Sequence, residues 1–435
     1  MATVRRRAVS SRSCPVAKQE FKTLAVIGLG YVGLPTAAIF ANRGLNVVGI
    51  DTNADVVDMI NRGQVHIVEP DLDKIVQDAV SNGSLRAATE PQTADAFIIA
   101  VPTPFTDEDH KPDLGYLMAA AESLGPVLKA GDLIVVESTV PVGATEAVSV
   151  RLAELCPELS FPHDNEVPDI HIAHSPERVL PGRVIAELTK NDRVIGGLTP
   201  ACGERTAALY AIAVEGQCLL TTAATAELVK LAENAYRDVN IAFANELSVI
   251  SDKLGIDPWE AVRLANHHPR VNILQPGPGV GGHCIAVDPW FIVDSAPDDS
   301  GLIQAARQVN DAKPHHLSGQ ILSAAAEMAS PVIACLGLAY KADIDDLRQS
   351  PAITVIQDLS QGGHKVLAVE PHINALPHEL DDLDGGIGGV TLTSLDDALN
   401  GADIVVLLVD HKAFKEVDQD RLAGKTVFDA RGIWR

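Results

Sequence analysis

Residues 24–53, LAVIGLGYVGLPTAAIFANRGLNVVGIDTN, decide the fold. Leu24–Ile27 is an apolar run of strand length, and Gly28, Gly30 and Gly33 follow it as G-x-G-x-x-G at the start of a helical pattern. Ala37, Ala38, Phe40 and Ala41 supply the apolar positions of that helix, Gly44 stops it, and Val47–Ile50 forms a second strand closing on Asp51. Glycine admits the tight turn and lets a pyrophosphate approach main-chain N–H groups at a helix N-terminus, where the helix dipole favours anions. An acid 23 residues after Gly28 (51 − 28) stands where adenosine ribose hydroxyls are bound, and its charge repels the extra phosphate of NADP. A glycine fingerprint alone is a weak signal. Strand, fingerprint, helix, strand and acid in this order predict a Rossmann fold that binds NAD.

The alternation continues outward to about residue 200, as a doubly wound parallel sheet requires. Ala96–Val101 reads as a strand ending at Pro102, Thr103 and Pro104, and Leu133–Val136 as one ending at Glu137, Ser138 and Thr139. Ile170–Ala173 runs into SPERVLPGR. Ligands of open α/β sheets sit beyond the carboxyl ends of strands, so Thr103 and Thr139 fall beside a cofactor or substrate, although N-cap chemistry explains either threonine equally well. Residues 223–254 read as one long helix with Leu228, Leu231, Ala235, Val239, Ala242, Phe243, Leu247, Ile250 and Leu254 as its apolar positions. Lys230 and Asn234, four apart, share a face of it, either as solvated residues or as a functional pair. From about 330 the alternation restarts with Val332–Leu336, Val366–Val369, Ile404–Val409 and Val427–Phe428, giving two α/β halves joined by a helical middle.

At 435 residues and 46% hydrophobic, the chain can bury two or three cores, and its apolar segments are too short to span a bilayer. A net charge of −24 argues against nucleic acid or an anionic membrane surface as partner. Anionic ligands therefore need local positive potential from helix N-termini and a few placed Lys and Arg. The six cysteines are widely spaced, so neither a disulfide framework nor a metal site is expected. Residues 1–20 carry Arg5, Arg6, Arg7 and Arg12 against a single acid, Glu20, and read as a disordered extension or a transit peptide.

A second stretch bears on chemistry. PGPGVGGHCIAVDPW, residues 276–290, surrounds Cys284 with Gly277, Gly279, Gly281 and Gly282 and follows it with Asp288. A thiol in a loop where a substrate or another backbone comes close, beside a carboxylate, suits covalent catalysis. A packed thiol in a tight turn is the competing reading.

GLGYVGLP, the strand-end threonines, SPERVLPG, AELVKLAENAYRDVNIAFANEL, GPGVGGHCIAVDP and LGLAYKADIDDLRQSPA, in this order, resemble the UDP-glucose/GDP-mannose dehydrogenases over nearly the whole chain from about residue 22. The resemblance implies an α/β protein of two Rossmann-like domains joined by a long-helix region: NAD-binding at 21–215, a central dimerisation region with the cysteine loop at 216–325, and a UDP-sugar domain at 326–435. It implies a cytoplasmic homodimer with no metal, and a four-electron oxidation of a sugar C6 alcohol to a carboxylate with two NAD per sugar. Cys284 is then the nucleophile, Lys230 the oxyanion-stabilising and proton-transferring group with Asn234 as partner donor, and Asp288 an acid working with Lys230 and water. Thr139 and Glu177 arrange water or contact the sugar. Gly28, Gly30, Tyr31, Val32, Gly33, Asp51, Thr103 and Thr139 hold the cofactor. Glu177, Arg178, Lys230, Asn234, Arg270, Gly281, Lys341 and Arg431 contact the substrate, with Arg270 reaching across the dimer.

Val287 stands where the glucose branch carries a Lys, and His283 where a small residue is common before the cysteine. This pattern resembles the branch acting on UDP-N-acetylhexosamines, and the AVDPWF form implies UDP-N-acetyl-D-mannosamine, with UDP-N-acetylglucosamine as alternative. Two other classes stand beside this reading: an NAD-binding regulatory protein without turnover, and a two-electron dehydrogenase. The first would be free to lose any of Cys284, Lys230, Asn234 and Asp288, and the second needs no thiol. Asp51 generates a direct expectation: catalytic efficiency with NAD exceeds that with NADP by about 2 to 4 kcal/mol, and initial rates giving equal efficiencies contradict it.

Overall fold

The computed structural model describes residues 12–13, 21–106, 110–179, 182–381 and 389–434. It divides into two compact units, Met1–Ala232 and Glu233–Arg435. The expected disordered extension lies outside the described residues except for Arg12–Ser13.

The first unit is built on β1 (Arg12–Ser13), β2 (Thr23–Ile27), β3 (Asn46–Ile50), β4 (Leu85–Ala88), β5 (Ala96–Ile99), β6 (Leu133–Val136), β7 (His171–His174), β8 (Arg193–Gly197) and β9 (Gln217–Thr222). Their order in the sheet is β1-β9-β8-β7-β6-β5-β2-β3-β4. From β4 to β7 every pairing is parallel, while β7–β8 and β1–β9 are antiparallel. Both faces are covered. Leu24, Val26, Leu133 and Val135 enter one core and Ala25, Ile27, Ile134 and Val136 the other, so these strands read as unbroken apolar runs rather than alternating ones. Full burial of each Leu, Ile or Val contributes about 1.5–3 kcal/mol. The strand order reverses between β2 and β5, and the Gly28 turn and Thr103 follow the carboxyl ends of these two strands.

The second unit carries a smaller all-parallel sheet of β10 (Val332–Leu336), β11 (Lys365–Val369), β12 (Val390–Leu392), β13 (Ile404–Leu407) and β14 (Thr426–Asp429), ordered β12-β11-β10-β13-β14. Its first turn repeats that of the larger sheet. Gly337 takes a φ of +96° as Gly28 takes +90°, and Glu370 at the end of β11 accepts the Leu338 and Ala339 N–H groups as Asp51 at the end of β3 accepts that of Leu29.

The long helix forms as read, Ala223–Leu254, and the unit boundary falls within it. Its burial is inverted. Glu227, Lys230, Asn234, Asp238 and Asn245 are buried, while Leu228, Phe243, Ile250 and Leu254, read as apolar positions of the helix, are exposed together with Tyr236. Leu231, Ala235 and Ala242 are the apolar positions that do pack inside. Cys156, Cys202, Cys284 and Cys335 are free thiols, but Cys218 is disulfide-bonded, a link that the wide spacing of the cysteines does not announce. Among the described residues no helix is long and apolar enough to cross a membrane.

Candidate active site

In the first unit the glycine turn has the shape its sequence requires. A Cβ on Gly33 would lie 1.8 Å from the Gly28 carbonyl oxygen, and one on Gly28 would lie 2.5 Å from that of Ala100. Gly33 therefore lets the Gly33–Asn42 helix pack on the turn, whereas a Cβ on Gly30 would meet no atom within 4 Å. Gly30 thus borders open space at a helix N-terminus, as a pyrophosphate needs. Val32 caps that helix and Tyr31 is exposed beside it. Asp51 is held by the N–H of Leu29 on Oδ2 (3.0 Å) and of Asn53 on Oδ1 (2.9 Å), fixing the carboxylate at the end of β3. Thr103 Oγ1 donates to the Thr139 carbonyl at 2.6 Å, tying together the loops after β5 and β6. These residues fit an NAD site.

Behind the turn lies a buried network that sequence reading missed. Glu137 accepts bonds from Thr36 Oγ1 (3.2 Å), Arg193 Nη1 (2.8 Å) and Tyr210 Oη (3.2 Å), and the Arg193 guanidinium stacks 4.5 Å from the Tyr210 ring centroid. Only Glu137, flagged as a strand-end residue, left a trace in the sequence. Its partners Thr36, Arg193 and Tyr210 lie 101, 56 and 73 residues away along the chain.

Beyond β7 a buried polar cluster adjoins this network. Both ring nitrogens of His174, Ser175 Oγ and Glu177 Oε1 are sealed from solvent without a hydrogen-bond partner among the described residues. Burial pushes the Glu177 carboxyl up to about 7, against the pull of Lys230 and Arg193. Burial, with the Lys230 ammonium nearby, pushes His174 down to about 3, so its imidazole is neutral. Lys230 itself is buried, not solvated. The cluster thus brings together a cation, a poised carboxyl and a neutral imidazole, a set able to bind water and move protons. Arg178 donates to the Asp192 carbonyl at 3.3 Å.

In the second unit Cys284 is exposed. Its carbonyl accepts the N–H groups of Val287 (3.2 Å) and Asp288 (2.9 Å), placing it on the turn that opens the Asp288–Ser295 helix. Asp288 is buried and its Oδ2 accepts the Asn234 side-chain amide at 2.5 Å. The surrounding glycines answer to protein, since a Cβ on Gly281 would lie 2.5 Å from the Gln349 carbonyl and one on Gly282 2.8 Å from the Tyr340 ring. Burial and the Arg348 charge push His283 below its ordinary range. Arg431 donates from Nε to Asp410 at 3.1 Å, and its Nη1 lies 2.6 Å from where a Gly277 Cβ would stand. Arg270 and Lys341 are exposed. Asp343, His372 and His411 bring candidate metal-ligating atoms within 4.8 Å of one another. The His411 ring is already committed, accepting the Asp343 N–H at 2.9 Å on Nδ1 and meeting Glu370 at 3.0 Å through Nε2.

Comparison with known proteins shows the family. Models of the UDP-glucose/GDP-mannose dehydrogenase family match the NAD-binding domain at residues 22–214, the central domain at 224–312 and the UDP-binding domain at 334–435. The NDP-N-acetyl-D-galactosaminuronic acid dehydrogenase of Ralstonia nicotianae is 58% identical over 417 residues, covering 95% of this chain and 97% of that protein. The UDP-N-acetyl-D-mannosamine dehydrogenase of Escherichia coli K12 is 54% identical over 425 residues, 95% of this chain and all of that one. Among solved structures, the UDP-D-ManNAc dehydrogenase of Pyrococcus horikoshii superposes with a TM-score of 0.84 at 38% identity, covering 94% of this chain and 96% of its own.

The state of Glu177 has a measurable consequence. The unfolded chain releases this proton near the ordinary value of 4.5 and the native protein near 7, so stability from this group falls as pH rises through that window. Glu177→Gln removes the slope. The melting-temperature difference, variant minus wild type, is expected to rise between pH 5 and pH 8, and calorimetry showing an equal offset at both contradicts the raised value.

Proposed function

Because the chain belongs to the UDP-glucose/GDP-mannose dehydrogenase family, we propose that it oxidises the C6 alcohol of UDP-N-acetyl-D-mannosamine to the carboxylate, through an adduct on Cys284 and with two NAD per sugar. The observation that carries this reading is an exposed thiol at the opening of a helix whose first residue, Asp288, is buried and hydrogen-bonded to Asn234, in a chain with an NAD-binding domain.

NAD, when bound, accepts the hydride that leaves C6 in each oxidation. The first oxidation releases the hydroxyl proton to a base, and a helix N-terminus with a turn open at Gly30 favours the cofactor's phosphates there. The Cys284 thiolate adds to the aldehyde carbon, giving a thiohemiacetal. Loss of the second hydride leaves a thioester, and water then breaks the C–S bond to release carboxylate and thiol. Lys230 and Asn234 stabilise the oxyanions and Asp288 assists the proton transfers, with most effect where water is excluded. Thr139 and Glu177 order the water. Arg178, Arg270, Gly281, Lys341 and Arg431 contact the sugar nucleotide, the cations supplying positive charge that an acidic chain lacks elsewhere.

Val287 and His283 support the acetamido-sugar assignment, as do the names of the full-length relatives. The 58% identity to a protein named for a galactosaminuronic acid favours an N-acetylgalactosamine nucleotide as second reading. For quaternary structure we propose a homodimer joined through the outer face of the Ala223–Leu254 helix. Tyr236, Phe243 and Ile250 recur there every seven residues, with Tyr236 70% exposed, and Leu228 and Leu254 extend the stripe. A heptad-spaced apolar stripe is self-complementary and fits a second copy of itself.

Three measurements test these readings. With NAD saturating, UDP-N-acetylmannosamine is expected to give the highest kcat/KM, UDP-N-acetylglucosamine and UDP-N-acetylgalactosamine less, and UDP-glucose at least about a hundredfold less. Each limiting sugar should yield about two NADH, the stoichiometry of a four-electron oxidation, and Cys284→Ser should fail to complete the second. UDP-glucose as best substrate, or one NADH with free aldehyde, overturns the assignment. Tyr236→Glu with Phe243→Glu should convert the dimer to monomer in sedimentation, and a dimer that persists refutes the stripe.

A further inference from the structure

Glu227 lies three residues, just under one turn, before Lys230 on the long helix, is 1% exposed, and has no task in the chemistry described above. Its Oε1 accepts the Thr145 N–H at 2.9 Å and the Thr145 hydroxyl at 2.5 Å, and its Oε2 accepts the Gly143 N–H at 2.7 Å. Gly143, at φ +97°, is the N-cap of the Ala144–Leu155 helix, so the carboxylate sits on the positive end of that helix. Four residues before Gly143 stands Thr139, whose carbonyl is held by Thr103. One carboxylate therefore ties the loop after β6 to the turn of the long helix that presents Lys230 beside His174 and Glu177.

We propose that Glu227 is a positioning residue that fixes the rotation of the long helix and thereby the aim of Lys230, an inference that rests on the role given to Lys230 above. Apolar packing permits a helix to turn or slide by a fraction of a residue with little loss, whereas three directed bonds to a buried carboxylate do not. Displacement of a reacting group by about 1 Å is enough to cost a hundredfold in rate. The acid also satisfies two N–H donors, the buried one of Thr145 and the half-buried one of Gly143, that an apolar residue would strand.

The test is Glu227→Gln, which keeps the shape but turns an NH2 toward one of the N–H donors. With both substrates saturating, kcat is expected to fall at least about tenfold. KM for NAD should stay within about twofold, because the Gly28 turn and Asp51 are untouched. Reductive methylation of Lys230 should become faster. Glu227→Asp, keeping the charge on a shorter arm, should recover part of kcat, a rescue that a merely structural role does not give. Wild-type kcat in the Gln variant overturns the proposal, as does a loss of kcat that active-site titration ascribes to fewer folded molecules. If the wild-type protein oxidises no UDP-sugar, the functional reading falls while Lys230 methylation still decides the positioning: an unchanged rate refutes it. Should the Gln variant not fold, Thr145→Val removes only the hydroxyl bond and is expected to move kcat and methylation in the same directions by less, no movement again refuting the proposal.

Discussion

The buried polar face of the Ala223–Leu254 helix is the constraint on which the rest depends. Glu227, Lys230, Asn234, Asp238 and Asn245 recur at helical spacing on the inner side, and among the described residues all but Lys230 have a hydrogen-bond partner outside the helix. Within the second unit Asp238 accepts from Arg307 at 2.6 Å and Asn310 at 2.8 Å, the Asn245 side-chain Nδ2 donates to Asn310 Oδ1, and the Asn245 side-chain Oδ1 accepts the Gly277 N–H. The main chain of the glycine loop is thereby anchored to two helices. Such burial is costly. Desolvation pushes Asp238 up despite the Arg307 charge, and Asp238 Oδ2 and Arg307 Nε remain unpartnered among the described residues. Directional polar bonds of this kind specify one register where packing alone would tolerate several.

Anion recognition by so acidic a chain follows a different economy of means. With a net charge of −24, long-range attraction cannot gather nucleotides, and what the first unit offers an anion is a set of main-chain N–H groups at a glycine turn. Its fixed carboxylate, Asp51, is satisfied by two N–H donors and so stands ready with remaining lone pairs for hydroxyl groups.

The second sheet repeats this turn with a different outcome. Glu370 occupies the place of Asp51, yet it accepts from Leu338, Ala339, His372 and the buried His411 ring. With its capacity taken up internally, and its carboxyl held below the ordinary range despite burial by the His411 hydrogen bond, it is not left open to ribose hydroxyls. The same βα turn therefore serves an open site in one half and a closed, structural one in the other. Gly337 is still required, because a Cβ there would lie 2.4 Å from that of Val409.

The sequence by itself determined whatever depends on local order. Leu24–Asp51 carries its strand, turn, helix and acid within 28 residues (51 − 24 + 1), so period and spacing suffice to fix the fold and the cofactor class. The long helix, Ala223–Leu254, was legible for the same reason, and the glycines around Cys284 stand out in the sequence by their spacing alone. Tertiary structure decided which face of that helix is inside. The 3.6-residue period locates an apolar stripe but not what covers it, and here Phe243 and Ile250 face outward while Asn234 and Asp238 find Asp288, Arg307 and Asn310 from 54 to 72 residues away. It alone decided that Gly281 and Gly282 make room for Gln349 and Tyr340, and that Arg193, Tyr210 and Thr36 converge on Glu137. A buried polar residue is stable only beside its partner, and partners this distant along the chain leave no periodic signal until the chain is folded.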